Sequence, residues 1–416
     1  MRRVVITGLG AITPLGNTVQ DFWENIKIGK SGAGLITRFD PENFKTKFAC
    51  ELKGFKAEDY FDRKERRNMD PFCQYALVAA GEAMNNAGID LSGIDATRAG
   101  VLWGSGYGGN LSMQEEVVDY AAHRKIPRFS PFFITRMIIN MAAGFISIKY
   151  GFKGVNYAPV AACAASNVAI LEGLNQIRWN KADVMIVGGS EAAITETGIG
   201  GFGASMALST NNDNAATACR PFDVSRDGFV MGEGAGALIL EELEHAKRRG
   251  AKIYAEVIGG AMTADSYHIT ATHPDGEGAV TALKLALKDA QIVASDVDYI
   301  NAHATSTLLG DISEVRAIGA VFGDHLHQLA ISATKSMTGH LLGGAGAIEA
   351  IVCIKSINES IVPPTINTFD IDPGIPQGLN LTLGQAQRRN IRIAMNNTFG
   401  FGGHNVITLF RNFEES

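Results

Sequence analysis

Cys163 is the residue in this sequence with the plainest capacity for covalent chemistry. It stands in Val160-Ala-Ala-Cys163-Ala-Ala-Ser166, after small and β-branched residues and before Val168, Ile170, Leu171 and Leu174, which recur near the helical period. That spacing predicts a strand, a turn and a helix, with the thiol at the helix start. Unpaired N–H groups and the positive end of the helix dipole favour an anion there, so the position predicts thiolate character near neutral pH. A lone cysteine in an alanine-rich run is nevertheless more often a small buried hydrophobe than a nucleophile. The decision rests on three stretches far downstream.

The first is Tyr299-Ile-Asn-Ala-His303-Ala-Thr305-Ser-Thr307, an apolar strand ending in a polar turn. Alone, His303 reads as an ordinary structural histidine. The second is Lys335-Ser-Met-Thr-Gly-His340, a lysine and a histidine around a Thr-Gly turn in an otherwise apolar junction. A buried ammonium is costly without a partner, and Glu349 on the following predicted helix is the candidate. The third is Asn397-Thr-Phe399-Gly-Phe401-Gly-Gly-His404, two aromatics among glycines.

Composition bounds the reading. The 416 residues are 46% hydrophobic and 19% charged, with a net charge of −6, which fits a globular protein with an ample core. No long basic stripe is present, so a nucleic-acid partner is not expected. The five cysteines, Cys50, Cys73, Cys163, Cys219 and Cys353, are scattered, with no CxxC and no metal-ligand spacing. They predict a reducing, cytoplasmic setting and no metal. The apolar start Val4-Val-Ile-Thr7 is too short for a signal peptide, and Arg136 interrupts the apolar stretch from Phe132 to Ile148, so no membrane span is expected.

The elements that must position these residues alternate. Strands are predicted at Arg3–Thr7, Ala99–Gly104, Val184–Gly188, Ala235–Glu241, Tyr254–Gly260, Val297–His303, Ala330–Ser332, Ile391–Asn396 and Asn405–Phe410. Helices are predicted at Gln20–Ile28, Pro71–Ala87, Ser130–Ile146, Ala164–Asn180, Glu242–Arg249, Gly276–Ala290, Asp311–Phe322 and Gly344–Ile357. This order predicts α/β layering. The Cys163 helix and the helix after His340-Leu-Leu-Gly-Gly-Ala-Gly346 echo one another, which points to two related halves with one site at their junction. Asn211 to Arg226 reads as an ordered surface loop. Gly8-Leu-Gly10 mimics a dinucleotide fingerprint but lacks the third glycine, and Pro14 interrupts the helix such a site needs.

Together the motifs around Cys163, His303, Lys335, His340 and Phe401 closely resemble those of β-ketoacyl-acyl carrier protein synthases of the type II elongating kind. The resemblance runs through nearly the whole chain. It implies a thiolase fold, a five-layered αβαβα sandwich of two pseudo-repeated halves, here 1–250 with the cysteine and 251–416 with the histidines and lysine, usually as a homodimer. It implies decarboxylative Claisen condensation of an acyl group on Cys163 with malonyl-acyl carrier protein, or the same reaction in a specialised type II polyketide or polyene pathway with a dedicated carrier. His303 and His340 are then enolate stabilisers acting through Nε2, and Lys335 with Glu349 holds His340. The backbone N–H groups of Cys163 and Phe401 form the oxyanion hole, with Phe401 also the gate. Thr270, Thr305 and Thr307 hold the phosphopantetheine arm, which arrives on the carrier protein, so no resident cofactor is expected. Tyr107 and Phe399 line the acyl pocket, and Phe133 reaches it from the second subunit. Arg63, Lys64, Arg66 and Arg67 dock the carrier.

Two departures stand out. Tyr107 replaces a small aliphatic residue of housekeeping relatives, and Asn68 and Met206 fall where well-known relatives are basic, leaving a thinner docking patch. A degradative thiolase needs a second cysteine where this chain has Gly400-Phe-Gly-Gly-His404. The initiating type III synthases have asparagine in place of His340, and inactive chain-length factors typically lack the nucleophile.

Overall fold

The computed structural model describes residues 1–414. The first part of the chain supplies β1 (Val4–Ile12), β2 (Ala99–Gly104), β3 (Asn156–Tyr157), β4 (Val184–Glu191) and β5 (Gly234–Glu242), paired in the order β3-β2-β4-β5-β1. The second supplies β6 (Ala255–Ala264), β7 (Tyr299–Asn301), β8 (Ala330–Ser332), β9 (Asn380–Leu381), β10 (Ile393–Gly400) and β11 (His404–Arg411), in the order β9-β8-β7-β10-β11-β6. Setting aside the edge strand β9, the two orders are the same, and β5 and β11 each run antiparallel to both neighbours. The two parts of the sheet meet through a short antiparallel contact of β1 with β6, Val5 opposite Glu256 and Ile6 opposite Ala255.

Six helices complete the layers. α1 (Pro71–Ala87) and α2 (Met141–Tyr150) cover the outer face of the first part. α3 (Ala165–Arg178) and α6 (Ala345–Glu359) pack on each other between the two parts. α4 (Glu277–Asp289) and α5 (Leu308–Phe322) cover the other outer face. This is the αβαβα order of the thiolase fold. The central pair is enclosed nearly all round, which is why its sequence is rich in Ala and Gly and shows no broad polar stripe. α1 shows the local rules at work. Asp70 caps its first turn by accepting from the Phe72 N–H, Pro71 occupies the first helical position, and Gly88 closes it at φ +59.

Three expectations need correction. Ser130–Ile146 is not one helix but Phe133–Met137 and then α2, separated by extended backbone at Ile138. The break lets the chain fold onto the Gly108-Gly109 loop, where Gly109 N–H donates to Met137 O at 3.0 Å and a Cβ on Gly109 would lie 2.1 Å from Arg136 O. Helices Asn110–Ala122 and Glu196–Ala204 were not anticipated, the second because its four internal glycines disguise it. The loop ending at Arg226 is ordered as expected, but Arg226 itself is buried, bonded to Asp372 Oδ2 at 2.7 Å and to the carbonyls of Asp223, Thr307 and Leu308.

Candidate active site

A cavity of about 410 Å³ lies where the two parts meet, and Cys163, His303, His340, Phe399 and Phe401 all line it. Each is held by its own local device.

Cys163 sits in a 3-10 turn, Ala162–Ala164, that leads into α3. Ala162 is left-handed, φ +47, a conformation that costs a residue with a Cβ roughly 1–2 kcal/mol. This strain at the turn aims the next residue into the cavity. The β10–β11 hairpin backs directly onto it, since a Cβ on Gly400 would lie 2.8 Å from Ala161 O and 3.2 Å from Cys163 N. The backbone N–H groups of Phe401 and of Cys163 itself favour the anionic form of the sulfur. Burial nonetheless pushes the thiol up to about 12, against the opposing pull of the Phe401 N–H and the Lys335 charge. The thiolate expected from the helix start is therefore opposed by desolvation, which works against the pull of the turn's N–H groups.

His340 follows Gly339, which at φ +67 makes the turn out of the one-turn helix Lys335–Thr338. The His340 N–H donates to Val230 O at 2.7 Å, and its carbonyl accepts from Gly232 N–H at 2.9 Å, so an extended segment clamps its backbone on both sides. His303 lies two residues past β7, and Glu314 from α5 fixes it by accepting from the N–H groups of His303 at 2.9 Å and Ala304 at 2.7 Å. The imidazoles lie edge to face with centroids 5.3 Å apart. Each Nδ1 is buried without a protein partner, leaving Nε2 as the ring nitrogen open to the cavity. Burial drives both histidines well below the usual imidazole range, and the Lys335 charge adds to this. Both are neutral at physiological pH.

Lys335 and Glu349 form a fully buried pair, Nζ to Oε1 at 2.5 Å. Burial raises the Glu349 carboxyl to about 7 while Lys335 pulls it down. Lys335 makes no hydrogen bond to either imidazole. Its ammonium acts on them through charge, so the expected direct hold on His340 belongs to the backbone clamp instead.

Thr270, Thr305 and Thr307 line the cavity, with the last two hydroxyls 3.1 Å apart. Asp311 fixes their turn, accepting from the N–H groups of Ser306 at 3.1 Å and Thr307 at 3.3 Å. Tyr107 is not on the cavity: it lies beyond Phe202, centroids 6.0 Å apart, and is 40% exposed. Phe133 is likewise remote within the single chain, stacked on Phe129 at 5.6 Å. Arg63, Lys64 and Arg67 are exposed on the short helix Arg63–Arg67, while half-buried Arg66 meets Glu58 at 3.5 Å. None of the four touches the cavity.

Three contributors escaped the sequence reading. Phe202 lines the cavity between Tyr107 and Phe401, whose ring centroid is 6.1 Å from its own. Glu314 anchors His303. Glu191 is fully buried and accepts from Ser105 Oγ at 2.9 Å and from the N–H groups of Gly106 at 2.8 Å, Tyr107 at 3.1 Å and Gly343 at 3.0 Å, tying the two halves together beside the site. Its signal was available, a carboxylate ending the apolar run Val184-Met-Ile-Val-Gly-Gly-Ser-Glu191.

The geometry can therefore hold an acyl group on sulfur, place two backbone donors at its carbonyl, and present two neutral imidazole donors to a second carbonyl. Comparison with known proteins agrees. A structure of a ketosynthase in complex with its type II polyketide acyl-carrier protein superposes with a TM-score of 0.92 at 36% identity, covering 99% of this chain and all of that one. A β-ketoacyl synthase from Burkholderia phymatum superposes with a TM-score of 0.92 at 34% identity, both chains fully covered. In sequence the chain is 48% identical to 3-oxoacyl-[acyl-carrier-protein] synthase 2 of Synechocystis sp. and 49% identical to that of Staphylococcus aureus, each over 99% of both chains. The family models for the N-terminal and C-terminal domains of β-ketoacyl synthase match residues 1–246 and 254–369, and the chain belongs to the β-ketoacyl synthase family.

Proposed function

We propose that the chain carries out decarboxylative Claisen condensation as a 3-oxoacyl-acyl carrier protein synthase of fatty acid elongation, with the residues of the cavity dividing the steps. The observation that carries this is the convergence of one thiol, two neutral imidazoles and two backbone N–H groups on a single cavity.

Cys163 attacks the carbonyl of an acyl thioester. A C–S bond forms to the enzyme, and the carrier's thiol leaves with the proton. A malonyl thioester then enters and loses carbon dioxide. The electron pair of the broken C–C bond passes into an enolate whose oxygen is met by the Nε2–H groups of His303 and His340. The enolate carbon attacks the Cys163 thioester. The tetrahedral oxyanion rests on the N–H groups of Cys163 and Phe401, and its collapse breaks the C–S bond, expels the Cys163 thiolate, which takes a proton from water, and releases the β-ketoacyl chain on the carrier. Neutral imidazoles suit this work, because an imidazolium at the same place costs desolvation and is repelled by Lys335. Phe401, flanked by Gly400 and by Gly402 at φ +90 and Gly403 at φ +76, is the gate that moves to admit the acyl chain. No step calls for a resident cofactor, since the phosphopantetheine comes with the carrier.

The partner is an acyl carrier protein, docked with help from Arg63, Lys64 and Arg67. The chain acts as a homodimer, a reading supported by the open edge at β3, where Tyr157 and Val160 are exposed. We divide the chain into halves at 1–250 and 251–416, a reading the repeated strand order supports. Among the described residues no helix is long and apolar enough to cross a membrane, and we assign the enzyme to the cytoplasm. The specialised polyketide or polyene reading is not favoured, since the polyketide ketosynthase stands at 36% identity and the elongation relatives at 48 and 49%.

Mass analysis after incubation with acyl-carrier protein tests the assignment: an acyl adduct on Cys163, followed by β-ketoacyl product and carbon dioxide on adding malonyl-carrier. His303→Ala and His340→Ala should retain the adduct and lose decarboxylation. Normal decarboxylation with no adduct in these variants reverses the roles.

A further inference from the structure

Arg226 is the largest charged side chain that the described residues enclose, and no step of the reaction above uses it. Enclosing a guanidinium is costly unless its N–H groups find acceptors. Here the fork is directed at backbone: Nε donates to Thr307 O at 3.0 Å, Nη2 to Leu308 O at 2.6 Å and Nη1 to Asp223 O at 2.8 Å, while Nη1 also meets Asp372 Oδ2 at 2.7 Å. Asp311 Oδ2, equally buried, lies 3.6 Å from Nε. The two charges grip one turn from opposite sides. Asp311 accepts from the N–H groups of Ser306 and Thr307, and Arg226 donates to the carbonyls of Thr307 and Leu308. Between them Ser306 is left-handed, φ +71, and the residues on either side of Arg226 hold it again: its Oγ accepts from the Arg220 N–H and its carbonyl from the Gly228 N–H, each at 3.0 Å. The turn carries Thr305 and Thr307 to the cavity, and a Cβ on Gly310 would lie 2.4 Å from Thr307 Oγ1, so that hydroxyl is pressed against the start of α5. Arg226 itself stays off the cavity.

We propose that Arg226 is a positioning residue for substrate, holding the Thr305–Thr307 turn so that both hydroxyls meet the amide-bearing arm of the acyl and malonyl thioesters in one fixed geometry. The proposal rests on the condensing activity above. A planar fork reaches two adjacent carbonyls at once, where the ammonium of a lysine is a point charge that reaches one. Without the fork the turn must find its place anew each time an arm binds, and part of the hydrogen-bond energy goes into that ordering. The arm is not the reacting group, so the loss falls on binding and not on the chemical step.

The test separates the arm from the acyl group. Arg226→Lys keeps a charge beside Asp311 and loses the fork. Arg226→Gln/Asp372→Asn removes a cation and an anion together, which gives a charge-balanced variant should the buried lysine not fold. Asp372→Asn alone is the control, since it touches the guanidinium and not the turn. Acylation of Cys163 is followed by mass with hexanoyl-pantetheine and with p-nitrophenyl hexanoate, which brings the same acyl group without the arm, and decarboxylation is followed with malonyl-pantetheine. We expect the half-saturating concentration of both pantetheine thioesters to rise about tenfold in each Arg226 variant, the size of about one lost hydrogen bond, with maximal rates within about twofold. Acylation by the p-nitrophenyl ester should stay within about twofold, and Asp372→Asn should change no value by more than about twofold. An equal loss with the armless ester, a fall in maximal rate as large as the rise in half-saturation, or the same rise in Asp372→Asn means that Arg226 merely supports the cavity wall, which overturns the proposal. So does unchanged saturation by both thioesters. Absence of β-ketoacyl product from the unsubstituted enzyme, with Cys163 acylated normally, is a failure of the condensing reading, and the saturation by hexanoyl-pantetheine still decides for or against Arg226.

Discussion

The turn that presents Cys163 has a twin. Ala162 at φ +47 opens a 3-10 turn that leads into α3, and Leu342 at φ +46 opens the 3-10 turn Leu342–Gly344 that leads into α6. Both turns lie beside the central helix pair, one in each half. The residue after the strained one differs completely: in the first half it is Cys163, aimed into the cavity, and in the second it is Gly343, pressed against the other half. A Cβ on Gly343 would lie 2.3 Å from Gly106 N, and its own N–H donates to Glu191 at 3.0 Å. One backbone device therefore displays a nucleophile in one copy and closes the interface between copies in the other. The chemistry sits in the side chain, while the strained turn is shared architecture.

Substitutions at the two turns should part accordingly. Cys163→Ala should leave the fold intact and lower condensation by at least about 10⁴-fold, since none of the other four cysteines lines the cavity. Product formed at more than a trace by this variant would erase the distinction between the turns.

The buried thiol makes a second prediction, on pH. A thiol held near 12 is almost wholly protonated over the working range and its thiolate fraction rises tenfold with each pH unit, so alkylation of Cys163 by iodoacetamide should rise about tenfold for each pH unit from 6.5 to 8.5, without a plateau. A rate that levels off near pH 7 would restore the helix-start thiolate, and the first turn would then activate its residue as well as display it.

Gly343→Ala should act on stability: with backbone on the far side of the contact, we expect a loss of about 1–3 kcal/mol in urea unfolding. Unchanged stability would mean that the second turn is not the clamp between halves. Ala162→Gly should have the smallest effect. It relieves the left-handed strain but adds unfolded-state freedom of comparable size, so stability should move by less than about 1 kcal/mol. A large destabilisation there would show that the Ala162 methyl packs, and that the twins differ in more than the displayed residue.

Much of this was legible in the residues themselves. The strand and helix periods, the Asp70-Pro71 start and Gly88 stop of α1, and the family motifs around Cys163, His303, Lys335, His340 and Phe401 are local properties that a sequence carries openly. Glycine-rich helix Glu196–Ala204 was not, because its propensity is poor and its formation depends on packing around Ile199 and Phe202. The break at Ile138 was hidden for the same reason, the deciding contact being with glycines thirty residues earlier in the chain.

What the sequence by itself determined is which groups could react and which segments must carry them. Only the tertiary structure decided their state. The thiol and Glu349 are shifted upward and both imidazoles downward because the fold removes water from all of them, and desolvation is a property of the enclosed site that no single stretch of residues contains. It was also the fold that set Tyr107 outside the cavity and put Glu191 between the halves.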